Sequence, residues 1–186
     1  MLNNRFMPKN LEADEKTNKV LQQIEKGFGM IPNMFKIAAQ DPSVLEEFLR
    51  WASVMKGGSL TPLEHEAVSL LVSEINNCYY CLSAHTMIGK AAGFTDEEML
   101  EIRKGKHSNE KLDALLKLTA EAVENKYGVS ESTLDKFYSV GYGNKELIEV
   151  IGIITEKTFT NLLGRITKPE LDFQPAPILE EEKLQQ

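Results

Sequence analysis

The chain reads as an all-α protein, and three observations predict that class. Helix start and stop signals recur along the whole length, period-two alternation bounded by turn residues does not, and 42% of the 186 residues are apolar. That length and composition suffice for one well-buried domain. A single domain over 1–186 is therefore expected, a helical bundle with its core over 27–165 and an extended tail from Lys168.

An opening helix is expected over about 12–26. Asp41-Pro42 reads as an N-cap followed by proline at N1, opening a helix through Leu45, Phe48, Leu49 and Ala52 that stops at Gly57-Gly58. Thr61-Pro62-Leu63-Glu64 is a capping box, and its helix should run to about Ile75. Asn76-Asn77 interrupts the run, with Asn77 the expected N-cap of a helix carrying Cys78, Cys81 and His85 toward Gly93. A second capping box, Thr95-Asp96-Glu97-Glu98, opens a short helix ending near Gly105. Three more helices follow at about 110–126, 131–140 and 145–163, punctuated by Gly128, Gly141, Gly143 and Gly164. The tail, with three prolines and Glu180-Glu181-Glu182, should be extended and weakly ordered, laid on a neighbouring subunit.

The net charge of −7 and the lack of a Lys/Arg cluster argue against nucleic acid or an anionic membrane as partner. Arg165-Ile166-Thr167-Lys168 is too short to be a basic patch. Met1 to Phe6 holds no apolar signal region and no run approaches a membrane span, so the chain reads as cytoplasmic. No Gly-rich phosphate loop or dinucleotide fingerprint occurs, which points away from nucleotide or flavin cofactors.

The two cysteines of the chain stand together as Cys78-Tyr79-Tyr80-Cys81, with His85 four residues on. In a reducing compartment such a pair is redox-catalytic or metal-binding rather than a structural staple. On a helix the two Cα atoms would lie roughly 5 Å apart, within disulfide reach. His85 falls one turn beyond Cys81, on the same face. A thiol lowered from pKa about 8.5 to about 6.5 rises from about 3% to about 75% thiolate at pH 7, yet loses about tenfold in intrinsic nucleophilicity. The net gain is only about two- to threefold, so a positioned proton donor for the leaving group, typically worth about 10² to 10⁴, matters more. His85 and a nearby carboxylate are the candidates.

On a helical projection of 61–77, Leu63, Ala67, Val68, Leu70, Leu71 and Ile75 form a buried arc, with Glu74 inside one side of it and Glu66 at its margin. A desolvated glutamate has a raised pKa suited to proton relay, unless it snorkels to solvent or bonds locally. Tyr79 and Tyr80 read as packing residues, although Tyr80 adjoins the sulfur. Trp51, Phe48 and Met55 share a helix face that suits core or subunit interface.

The string Ser73-Glu74-Ile75-Asn76-Asn77-Cys78-Tyr79-Tyr80-Cys81-Leu82-Ser83-Ala84-His85 resembles the core signature of the alkylhydroperoxidase D / carboxymuconolactone decarboxylase-like superfamily. Ile31-Pro32-Asn33 followed by a helix and Asp41-Pro42, then Leu60-Thr61 and an acidic residue twelve before the first cysteine, resemble its peroxidase-related branch. The resemblance implies an all-helical domain forming a trimer or hexamer with the dithiol near a subunit interface. It implies a hydroperoxide substrate, Cys81 as the attacking thiol that becomes a sulfenic acid, Cys78 as the resolving thiol, and His85 with Glu66 as the proton relay. A dithiol reductant or adaptor protein would restore the thiols. Tyr80 stands where the best-studied peroxidase members carry a relay histidine, and Glu74 is an additional acid able to tune Cys78 or enter the relay.

Other readings compete. A helix N-terminus would favour Cys78 as the more acidic sulfur, whereas only Cys81 lies one turn from His85. Cys78, Cys81 and His85, with Glu66 or Glu74, are also plausible Zn²⁺ ligands, although no second ligand pair exists and His65 and His107 are not motif-spaced. A non-catalytic scaffold with an inert dithiol is a third reading, and a decarboxylase leaves the CxxC without a role.

Overall fold

The structure, a computed structural model, describes residues 5–8, 15–126 and 128–179. Among them the chain forms nine helices and no strand: α1 (Glu15–Phe28), α2 (Asn33–Ala38), α3 (Pro42–Lys56), α4 (Pro62–Ile75), α5 (Tyr79–Ala92), α6 (Asp96–Arg103), α7 (Glu110–Glu124), α8 (Glu131–Ser139) and α9 (Asn144–Thr167).

Side-chain caps set most of the starts. Asp41, Asn109 and Ser130 each accept the N3 backbone N–H of their helices, and Thr61 with Glu64 and Thr95 with Glu98 close reciprocal capping boxes. α1 ends later than the sequence suggests, and residues 9–14, which include the expected start of the helix, lie outside the described segments. Gly164 does not end α9. The helix continues to Thr167 and is closed by Lys168 in the left-handed conformation, φ 46°.

α4 is the central element, packed by α5, α6, α7 and α9. It is buried on nearly every side from His65 to Ser73, a wider burial than a single apolar arc, while Leu63 is exposed rather than part of that arc. A helix enclosed on all faces must satisfy its polar side chains locally, and Ser69 and Ser73 do so by donating to the carbonyls of His65 and Ser69. The main core gathers Val68, Leu71, Ile102, Leu115, Leu116, Phe137 and Ile153 around α4. A second cluster, with Val20, Ile24, Phe35 and Leu45, joins α1, α2 and α3. A third small cluster contains Met34, Cys78, Tyr80 and Cys81, with Leu163 and Phe173 against it.

The segment after α9 is extended but not loose, and it lies on its own chain as far as it is described. Asp172 accepts from the Asn33 backbone N–H at 2.8 Å and from the Tyr80 hydroxyl at 2.5 Å. Ala176 donates its N–H to Ser83 Oγ and accepts from the Tyr79 hydroxyl, and Arg103 donates to the Pro177 carbonyl. The acidic run from Glu180 lies outside the described residues.

Candidate active site

The turn between α4 and α5 fixes the first cysteine. α4 ends at Ile75 with Asn76 as its C-cap, Asn77 takes the left-handed conformation (φ 52°), and the N–H groups of Asn77 and Cys78 reach back to the carbonyls of Glu74 and Ser73 at 2.8 and 3.0 Å. This is a Schellman closure with asparagine in the place glycine usually takes, a conformation asparagine tolerates better than other side chains. Cys78, not Asn77, is then the N-cap of α5: its Sγ accepts the Cys81 backbone N–H at 3.4 Å. A reduced Cys78 therefore sits at the positive end of α5 with a backbone donor on its sulfur, which favours its thiolate.

Cys78 and Cys81 are joined as a disulfide, with Cα atoms 5.3 Å apart, and both are buried. α9 crosses directly over them. A Cβ at Gly164 would stand 2.8 Å from Cys78 Sγ and 3.4 Å from Cys81 Sγ, so the missing side chain is what permits the crossing. Cys81 Sγ also lies 3.6 Å from the Thr160 carbonyl oxygen.

The sulfurs face different spaces. Cys81 lines a cavity of about 110 Å³ together with Ala84, His85, Glu156, Lys157 and Thr160, walled by Phe28, Met34, Phe35, Phe48, Ile88 and Phe173. Cys78 lines a groove of about 310 Å³ on the other side, with Asn77, Arg165, Lys168 and Leu171.

α4 delivers Glu66 to the back of His85, with Oε2 2.7 Å from Nδ1. Burial alone would raise the Glu66 pKa, but the imidazoles of His85 and His65, both hydrogen-bonded to it, and the Lys157 ammonium together hold it well below the usual carboxylate range. For His85 burial is the largest influence and lowers its pKa, outweighing the attraction of Glu66. The ring is thus neutral near pH 7, its Nδ1–H donating to Glu66 and its Nε2 lone pair left as a base. His65 places Nδ1 3.5 Å from the other Glu66 oxygen, so the carboxylate is flanked by two rings.

Of the residues singled out in the sequence, Cys81 and His85 share the cavity and Glu66 stands behind the imidazole. Glu74 does not join them: it receives Arg103 Nε at 2.5 Å and lines a small pocket of about 120 Å³ beside Cys78. Tyr80 is buried, and its hydroxyl donates to Asp172 and stands 3.4 Å from the Met34 N–H. Burial and the Asp172 carboxylate push its pKa well above the ordinary phenol value, so it stays protonated. The zinc reading finds no support in the geometry. The two sulfurs bond to each other, and no three acidic, cysteine or histidine side chains among the described residues converge on a metal position.

Sequence reasoning missed three polar residues here: His65, Glu156 and Lys157. All are buried, and Lys157 Nζ pairs with Glu156 Oε1 at 2.8 Å. Glu156 and Lys157 lie inside an otherwise uncharged stretch of the last helix, Val150 to Leu163, and two adjacent charges interrupting such a stretch are the signal that was available.

Residues 42–124, which hold both cysteines, Glu66 and His85, match the Carboxymuconolactone decarboxylase family. The fold is shared with an uncharacterized peroxidase-related protein from Silicibacter sp. TM1040 (TM-score 0.79, 20% identity, 88% of each chain covered). It is shared equally with an alkylhydroperoxidase AhpD core, an uncharacterized peroxidase-related protein from Ralstonia eutropha JMP134 (0.79, 17%, 89% of this chain and 90% of that one). The debrominase Bmp8, solved in complex with 2,3,4-tribromopyrrole, also superposes (0.76, 17%, 92% and 93%). No curated protein matches the chain in sequence. The all-helical fold of this chain is thus common to proteins described as peroxidase-related and to a debrominase. No helix among the described residues is long and apolar enough to cross a membrane.

Proposed function

We propose that this chain is a dithiol peroxidase of the cytoplasm, reducing small apolar hydroperoxides through Cys81. The observation that carries the reading is that Cys81, and not Cys78, opens into the apolar cavity that also holds His85, whose ring is oriented by Glu66. In the reduced enzyme His85 Nε2 takes the Cys81 proton. The thiolate attacks the terminal peroxide oxygen, the O–O bond breaks, and an alcohol leaves behind a Cys81 sulfenic acid. Cys78, capped by the α5 backbone, then attacks the Cys81 sulfur, water departs, and the disulfide forms. A dithiol or adaptor protein returns the two electrons, the Cys78 groove providing its approach.

The test is peroxide consumption with excess dithiothreitol as reductant. The reading requires turnover of cumene hydroperoxide that is abolished in Cys81→Ser and reduced by at least about 100-fold in His85→Asn. Turnover unaffected by Cys81→Ser would overturn it.

A second reading has one observation in its favour, the shared fold with Bmp8 and the same combination of apolar walls and dithiol. A halogenated ring would exchange halide for hydrogen as the dithiol becomes disulfide. Bromide release from 2,3,4-tribromopyrrole by the reduced protein distinguishes it from the first.

We also propose that the working form is a homo-oligomer, a trimer or hexamer. On α9, Ile148, Ile151, Phe159, Leu162 and Ile166 are between 38% and 68% exposed and recur at helical spacing. Beside them, Val44, Trp51 and Val54 of α3 form one edge of an apolar groove of about 490 Å³. Trp51, at 45% exposure, is therefore not a core residue.

A further inference from the structure

The buried ion pair on α9 is the part of the cavity that the reaction above leaves without a role. Glu156 and Lys157 are 4% and 5% exposed, and both line the cavity that holds Cys81 and His85. Lys157 is one turn before Thr160, whose carbonyl oxygen lies 3.6 Å from Cys81 Sγ. Burying two charges costs several kcal/mol per ion before pairing, and an apolar pair of similar size would often be as stable. Packing alone therefore gives little reason for the pair to be here. Among the described residues the ammonium makes one hydrogen bond, to Glu156 Oε1, which leaves two of its protons without a protein acceptor. Glu156 Oε2 is buried with no donor.

Proton bookkeeping shows what is missing. When the Cys81 thiolate attacks a hydroperoxide, an alkoxide leaves, and an alkoxide is too basic to depart unprotonated at useful rates. His85 has just accepted the thiol proton from the sulfur side and is held from behind by Glu66. Tyr80 is committed to Asp172.

We propose that Lys157 is the general acid of the cavity, delivering a proton to the departing alkoxide oxygen, with Glu156 as the positioning residue that holds its ammonium in place. The proposal rests on the peroxidase reading. Cys81 gives its proton to His85, two electrons pass from sulfur to the O–O bond, and Lys157 protonates the alkoxide to the alcohol. The proton on His85 then restores Lys157, so that thiol and hydroperoxide yield sulfenic acid and alcohol with no proton gained or lost. The coupling of Lys157 with both Glu66 and His85 suits that last transfer. The side chains facing Lys157 in this balance are Glu156, Glu66 and His85, with His65 behind Glu66.

The test uses two oxidants that differ in whether the leaving group needs a proton. Peracetic acid expels a carboxylate, which leaves without one, whereas tert-butyl hydroperoxide expels an alkoxide. Single-turnover sulfenic acid formation is measured in Cys78→Ser with Lys157 intact and with Lys157→Met. The ratio of the peracetic acid rate to the tert-butyl hydroperoxide rate should rise about 100-fold on losing Lys157. A merely structural role would slow both oxidants alike, and an unchanged ratio overturns the proposal while leaving the peroxidase reading standing. Glu156→Gln combined with Lys157→Met removes the unpaired charge should the single variant not fold, and the same rise in the ratio is expected of it. If the protein with Lys157 intact oxidises with neither reagent, the peroxidase reading fails and this proposal with it.

Discussion

Gly164 sits where α9 crosses the disulfide, and its absent side chain is a packing requirement rather than a turn signal. Gly164→Ala puts a methyl group against two sulfurs, and such overpacking should cost about 1–3 kcal/mol in urea unfolding despite alanine's better helix propensity. The polar pair at the cavity gives a pH dependence whose sign is fixed. An unfolded imidazole titrates near pH 6.5, while burial holds His85 lower, so below about pH 6.5 the unfolded chain binds a proton the folded one does not. Stability then falls with pH. Glu66, held low by its partners, adds a second loss below about pH 4.3, where unfolded carboxyls protonate first. The urea midpoint should drop between pH 7.5 and 5.5, and His85→Asn should flatten that part of the curve. A midpoint independent of pH over this range in both proteins would contradict the burial of neutral His85. At this scale the sequence revealed the dithiol, His85 and Glu66, because their spacing is local to α4 and α5. It did not show what Glu156 and Lys157 do, because the cavity they line is completed by Cys81 and His85 from an element about 70 to 75 residues away, and helical periodicity says nothing about which buried groups meet.

The α4–α5 turn shows how far element-level reasoning reached. Asn76-Asn77 signalled the break, but asparagine serves both N-caps and left-handed closures, and composition does not separate the two. Here the closure won, and the cap passed to Cys78. The capping boxes were legible because both halves lie within four residues. The tail was not, because its order comes from long-range bonds to Asn33, Tyr79, Tyr80 and Ser83 that no local pattern encodes. Its dependence on Tyr80 is open to test. Tyr80→Phe leaves the Asp172 carboxylate without its phenol donor and should cost about 1–3 kcal/mol in urea unfolding. The rate of thiol loss to peroxide should change less than about threefold, since this hydroxyl points to the tail. A large rate loss with unchanged stability would return Tyr80 to the proton relay.

At the scale of the whole molecule, the segment that matches the family spans α3 to α7, and α9 completes the site from outside it. The same α9 carries the exposed apolar face on its other side, so one helix serves cavity and outer surface. Ile151→Glu with Leu162→Glu places charge on that face and should lower the assembly mass in sedimentation while leaving the helical circular dichroism intact. An unchanged mass would mean the copies meet elsewhere or not at all. The central claim is that Cys81 is the sulfur presented to substrate, and the most direct measurement is a thiol count on reduced, metal-free protein before and after one equivalent of cumene hydroperoxide. Cys78→Ser and Cys81→Ser are run alongside with a sulfenic acid trap. Loss of both thiols within seconds, with the trap labelling only Cys78→Ser, is the expected result. Thiols that survive for many minutes, or label appearing in Cys81→Ser instead, would contradict it.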